Sequence, residues 1–235
     1  MAGPRVAARL GGVFSALLLA SVAAPAQTPF DPGAAGCEGC HRADATAGPE
    51  GVDLTGLSPE YLVQQLQDFR AGLRRSATPK SLSDADIEAA AAYYAALPAR
   101  AHVRVVESDS APRAGEQEPL GRRIVEIAEN AATDGKARVV AYVPVGALAA
   151  GKILAETGGG KTTPCATCHE RGLKGDGLFP PLAGRSPSYL ARQLFDFKNG
   201  ARAGANSEQM KPVVERLNAD DMMALAAYIA ALPSQ

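Results

Sequence analysis

Apolar positions recur at helical spacing in two widely separated parts of the chain. Tyr61, Leu62, Leu66 and Phe69 form one set, and Tyr189, Leu190, Leu194 and Phe197 form another. Ser58-Pro59 precedes the first and Ser186-Pro187 the second, placing a hydroxyl at the N-cap and proline at the first helical position. Two further helices are predicted, capped by Ser83 and Asn218 and ending near Leu97-Pro98 and Leu232-Pro233. Both are rich in alanine, which favours helix formation and close packing. Gly151 to Thr157 reads as a short helix, and the small Gly151 suits close approach by another helix, such as the one bearing Tyr228. In between, Val103–Val106, Ile124–Ile127 and Val139–Val143 read as short strands, with Pro98, Pro112 and Pro119 as punctuation. The pattern predicts two helical units joined by a small antiparallel β insertion.

Val13 to Ala24 is apolar, follows Arg5 and Arg9, and is too short to span a bilayer comfortably. With Ala24-Pro25-Ala26 it reads as a secretory signal cleaved before Gln27; an uncleaved anchor is the rival reading. Cleavage leaves 22 basic against 25 acidic side chains, a formal charge of −3. No basic stripe points to nucleic acid.

The two helical units are copies. At an offset of 128 residues Cys37, Cys40 and His41 fall on Cys165, Cys168 and His169. Ser58, Pro59, Tyr61, Leu62, Gln65, Leu66, Asp68, Phe69, Gly72 and Arg74 then fall on Ser186, Pro187, Tyr189, Leu190, Gln193, Leu194, Asp196, Phe197, Gly200 and Arg202 without a gap. Beyond Arg74 the offset becomes 135, so the second copy carries 7 extra residues in one loop, and that loop contains Met210. The chain divides into a signal at 1–26, a first unit at 27–98, a linker with short strands at 99–145 and a second unit at 146–235. The first unit has only ten Pro-, Gly- and Ala-rich residues before Cys37, so its opening helix is expected to be missing.

Cys37-Glu38-Gly39-Cys40-His41 and Cys165-Ala166-Thr167-Cys168-His169 use all four cysteines and two of the three histidines. C-x-x-C-H is the attachment signature of a c-type haem, with two thioethers to the porphyrin and a proximal imidazole on iron. Zinc is a rival, but 124 residues separate Cys40 from Cys165, against about 15–20 in the usual paired site. Disulfides are another, but they do not explain a histidine after each second cysteine. Tryptophan is absent and aromatics make up 5 %, and a haem in each unit would supply the missing apolar bulk.

With these motifs, Pro181-Leu182-Ala183-Gly184, the Tyr-Leu-x-x-Gln-Leu-x-x-Phe helix, the Met loop and a final helix with Tyr then Leu-Pro, the chain resembles the class I c-type cytochromes. The di-haem arrangement is similar to the cytochrome c4 family, over roughly 37–98 and 146–233; the β insertion lies outside the c4 pattern. The resemblance implies a mainly α fold of two class I cytochrome c-like domains and two covalently bound haem c groups. They would be attached through Cys37, Cys40, Cys165 and Cys168. His41 and His169 would be proximal iron ligands, and Met210 the distal ligand of the second haem. Pro181 is expected to support His169, a nearby carbonyl accepting the imidazole N–H. Met222 and Met223 read as core. In the first copy Asp53 replaces Pro181 and the Met loop is shortened. Its distal position stays open among His102, Lys80 and no protein ligand.

The implied function is periplasmic electron transfer between redox partners: a dehydrogenase, an oxidase or another cytochrome. The alternatives are an electron-accepting subunit of a dehydrogenase or oxidase complex, and ligand binding or catalysis at an open first haem. No catalytic constellation is visible, so an enzyme is not expected. Membrane association would come through a partner.

Overall fold

The computed structural model describes residues 31, 36, 37, 40, 41, 52–75, 81–97, 103–113, 116–129 and 138–234. The signal segment, the start of the first unit, Lys80 and His102 lie outside the described residues. No helix among the described residues is long and apolar enough to cross a membrane.

The first unit contributes α1 (Pro59–Arg70) and α2 (Asp84–Ala95). Ser58 accepts from the Tyr61 N–H at the start of α1, and Ser83 and Asp86 form a reciprocal capping box on α2. Leu57, Tyr61, Leu62, Ala91 and Tyr94 make the core between them.

Five strands follow: β1 (Val103–Glu107), β2 (Ser110–Arg113), β3 (Glu116–Pro119), β4 (Val125–Glu129) and β5 (Arg138–Val143). The expectation of an antiparallel insertion needs correcting. β5 is central in a three-stranded sheet of order β1-β5-β4, antiparallel to β4 but parallel to β1. Parallel neighbours need a long crossover, and residues 108–137 supply it. The most apolar strand takes the middle, where both of its edges are paired. β2 and β3 form a separate antiparallel ribbon, with Pro119 opposite Ser110 and Pro112 opposite Gln117. Pro112 and Pro119 are therefore strand residues in a two-stranded ribbon, where every strand is an edge and a missing N–H is tolerated.

The second unit is built from α3 (Ala147–Thr157), α4 (Ala166–His169), α5 (Pro187–Lys198), α6 (Lys211–Val214) and α7 (Ala219–Ala231). Ser186 caps α5 as Ser58 caps α1, and Asn218 and Asp221 box α7 as Ser83 and Asp86 box α2. The 7 additional residues appear as a 3-10 turn, Ala205–Met210, running into α6. α3 crosses α7 at Gly151, where a Cβ would lie 1.9 Å from the Ala224 carbonyl oxygen and 2.7 Å from Tyr228 Cβ. Only glycine permits that approach.

The sheet packs on this second unit. Val143, Val105 and Ile124 meet Ala147, Leu148 and Ala227. Two of its carboxylates cap helices: Glu107 accepts from the Leu148 N–H of α3 at 2.8 Å, and Glu126 accepts from Ser186 Oγ and the Ser188 N–H of α5, each at 2.8 Å.

Candidate haem sites

The described ends of the two C-x-x-C-H segments are joined by the same backbone hydrogen bond. The His41 N–H reaches Cys37 O at 2.9 Å, and the His169 N–H reaches Cys165 O at 3.0 Å. In both, the second cysteine is exposed and the first is half-buried against its unit's core. Burial pushes the Cys165 thiol up to about 11. Among the described residues no group of three or more His, Cys, Asp or Glu gathers to hold a metal ion, so the two cysteine pairs do not converge on a single zinc site.

Each histidine is oriented by a carbonyl. His169 Nδ1 lies 2.9 Å from Pro180 O, and His41 Nδ1 lies 2.8 Å from Val52 O. A carbonyl oxygen only accepts, so Nδ1 carries the hydrogen and Nε2 keeps its lone pair. Burial lowers the His169 pKa, which keeps the ring neutral. Val52 and Pro180 are equivalent at the 128 offset. The supporting carbonyl thus belongs to Pro180 rather than Pro181, one residue earlier than the motif suggested. That shift explains how the first copy tolerates Asp53: the carbonyl comes from Val52, and the Asp53 carboxylate turns back to accept from the Thr55 N–H at 2.8 Å.

A cavity of about 220 Å³ opens beside the second motif. Cys165, Cys168, His169 and Met210 line it together with mainly apolar neighbours, among them Leu182, Leu225 and Ile229. Met210 is half-buried and packs against the core of the second unit. Met222, by contrast, is 1 % exposed within that core. Leu57, Tyr61 and Gln65 of the first unit also line the cavity, so it reaches the junction of the two copies.

At that junction equivalent residues exchange partners. Arg74 donates to Tyr189 Oη at 3.1 Å and Gln193 Oε1 at 2.7 Å, and to its own Gln65 at 2.8 Å. Arg202 donates to Tyr61 Oη at 2.9 Å and Gln65 Oε1 at 2.7 Å, and to its own Gln193 at 3.0 Å. Each guanidinium also lies over a phenylalanine of its own unit, Phe69 at 4.5 Å and Phe197 at 4.4 Å. These hydrogen-bond partners are neutral amides and phenols. Arg202 is 7 % exposed, and its Nε is buried without a partner. Burial raises the Tyr189 phenol, but Arg74, Arg202 and Arg185 outweigh it and hold the phenol below its ordinary value. Asp196 partly offsets the charge of Arg74, and a buried cationic cluster of this kind favours a further anion, because buried charge costs several kcal/mol unless it is paired. A haem fits on three counts: thiols and a neutral imidazole on one segment, an apolar lining, and cations for its propionate carboxylates.

Sequence reasoning aligned these arginines and glutamines as repeat positions but assigned them no role. The available signal was the return of polar Gln65/Gln193 among the apolar positions of the two helices and of Arg74/Arg202 just beyond their ends.

Comparison with known proteins agrees. The Cytochrome c family model matches residues 149–233. A thiosulfate dehydrogenase electron acceptor of Thiomonas intermedia (strain K12) is 32 % identical over 236 residues, covering 96 % of this chain and 89 % of the relative. The structure of thiosulfate dehydrogenase (TsdBA) from Marichromatium purpuratum aligns at a TM-score of 0.57 and 36 % identity over 84 % of this chain, which spans 36 % of that longer chain. Reduced recombinant cytochrome c4 from Pseudomonas stutzeri aligns at 0.55 and 26 % identity, over 86 % of this chain and 95 % of its own. With its duplicated C-x-x-C-H unit, the chain belongs to the di-haem class I c-type cytochromes, with two covalently bound haem c groups.

Proposed function

We propose that this chain is a periplasmic electron carrier that accepts electrons from a dehydrogenase-type redox partner and passes them on. Cys37, Cys40, Cys165 and Cys168 hold the two haems; His41 and His169 are the proximal ligands, and Met210 is the distal ligand of the second. The observation that carries this reading is the matched pair of Nδ1–H bonds to Val52 O and Pro180 O, which leaves each Nε2 available to iron. A soft thioether on the second haem stabilises the ferrous state and raises its potential. The first haem, without a Met loop, has His102, Lys80 or no protein group as its distal ligand and sits at a different potential. Residues 1–26 are the export signal, 27–98 and 146–235 the haem domains, and 99–145 the insertion between them.

The partner reading follows from the relatives, one of which is named for accepting electrons from a thiosulfate dehydrogenase. Mixing oxidised holo-protein with thiosulfate and a catalytic amount of such a dehydrogenase tests it. Reduction of both haems is expected; no reduction would remove this donor and leave general electron carriage. Carbon monoxide binding to dithionite-reduced protein tests the ligand set. About one CO per chain places an open or weakly ligated iron at the first haem; none means that both irons hold two strong protein ligands and makes His102 the leading candidate for the first; two would overturn Met210 as a ligand.

A further inference from the structure

Arg185 donates to three backbone carbonyls, and two of them belong to the other repeat. Its Nε reaches Pro181 O at 3.2 Å, Nη1 reaches Asp53 O at 2.7 Å, and Nη2 reaches Thr55 O at 2.8 Å. These carbonyls adjoin the two that orient the proximal imidazoles. Pro181 follows Pro180, the acceptor for His169, and Asp53 follows Val52, the acceptor for His41. An unbroken series of peptide and hydrogen bonds therefore runs from His169 through Pro180-Pro181, the guanidinium and Asp53-Val52 to His41. The link is one-sided. At the 128 offset Arg185 falls on Leu57, an apolar residue buried in the first core. A planar five-donor fork spans three carbonyls, whereas an ammonium is a point donor.

We propose that Arg185 is a positioning residue for both proximal histidines, and above all for His41. The proposal rests on the reading of His41 and His169 as iron ligands. By holding the Val52–Thr55 segment from the second repeat, Arg185 fixes the distance and direction of the carbonyl that polarises His41. Such outer contacts set the basicity of a ligating imidazole, and through it the electronic balance at the metal. The first haem's potential is thereby tuned by a residue of the second repeat.

Potentiometric titration of the holo-protein tests this in the wild type, Arg185→Gln and Arg185→Lys. The charge-transfer band of a thioether-ligated ferric haem follows the second haem separately from the first. Both substitutions are expected to shift the first haem's midpoint potential more than the second's, because the two shorter bonds, 2.7 and 2.8 Å, reach the first repeat. Full restoration by lysine would leave charge alone as the cause and overturn the proposal. Unchanged potentials, or equal shifts in both haems, would also overturn it. If the glutamine variant does not fold, the lysine variant alone decides, since it keeps the charge and loses the fork. Failure of the underlying ligand assignment is visible earlier, in the wild type, as absence of hyperfine-shifted proximal imidazole resonances from two haems; the proposal would fall with it.

Discussion

Gly151→Ala adds one methyl group where α3 crosses α7. The new Cβ would lie 1.9 Å from Ala224 O, 2.6 Å from Ala224 C and 2.7 Å from Tyr228 Cβ, where real contacts begin near 3.0 Å. The helices must therefore part by about 1.1 Å, and the obstructing atoms are helix backbone, which cannot swing aside. Overpacking of this sort costs roughly 1–3 kcal/mol, and a backbone clash belongs at the upper end. Alanine returns about 0.5–1 kcal/mol through its helix propensity. The net expectation is a loss of about 2 kcal/mol, or about 4–8 °C in Tm for a chain of this size. Thermal unfolding of the holo-protein by far-ultraviolet circular dichroism measures it, with exposed Lys152→Ala as a control expected to stay within about 0.5 kcal/mol. A Gly151→Ala protein as stable as wild type, or more so, would refute the tight crossing.

Met210→Ala should abolish the thioether charge-transfer band, lower the second haem's potential and raise carbon monoxide binding by about one per chain; an unchanged spectrum would exclude Met210 as ligand. Glu126→Ala removes the acceptor for Ser186 Oγ and the Ser188 N–H, and a shift in urea midpoint equivalent to about 1 kcal/mol is expected, as for a lost helix cap. Burial, then the hydrogen bond to Glu156, pushes the Tyr228 phenol from 10.0 up to about 12. The folded state then holds the proton after the unfolded chain has lost it, so this contribution is complete below pH 10 and disappears as pH rises towards 12. Tyr228→Phe should flatten that alkaline fall in urea midpoint; an unchanged slope would count against the Glu156 contact.

What could be read from the chain was local. Ser58, Ser83, Ser186 and Asn218 cap their helices in the structure, because a cap is decided within three residues of its own position. The small Gly151 pointed to a close helix crossing, and Tyr228 lies at it. The sheet was harder. Apolar alternation marks β1, β4 and β5 but carries no information about which edge pairs with which, so the parallel pairing of Val103 with Val139 was not visible. Pro112 and Pro119 looked like breakers, although a two-stranded ribbon leaves each an edge position. Pro181 marked the supporting segment but not the accepting atom, which is the carbonyl of Pro180 beside it, because the motif marks the residue type that stiffens the segment.

The junction lay beyond a repeat alignment for a different reason. An offset of 128 shows that Arg74 and Arg202 are equivalent; it does not show that each crosses to the other's unit. Yet the exchange follows from duplication. Two like surfaces that meet face to face present the same donors and acceptors to each other, so an arginine that finds Tyr and Gln in one direction finds them in the other. The reciprocity is close in bonding, with Arg74 on Tyr189 and Gln193 and Arg202 on Tyr61 and Gln65, but unequal in burial. Arg202 is enclosed and keeps an unpartnered Nε, whereas Arg74 is half-buried. Leu57 and Arg185 break the symmetry again, one apolar and one reaching across to Asp53 and Thr55. A carrier with two identical haems in identical surroundings would have no preferred direction for an electron between them. Here the Arg74 and Arg202 bonds that join the repeats are shared, while Arg185 and the loop bearing Met210 fall on the second, so the duplicated scaffold holds the two sites together and the departures from symmetry make them unlike.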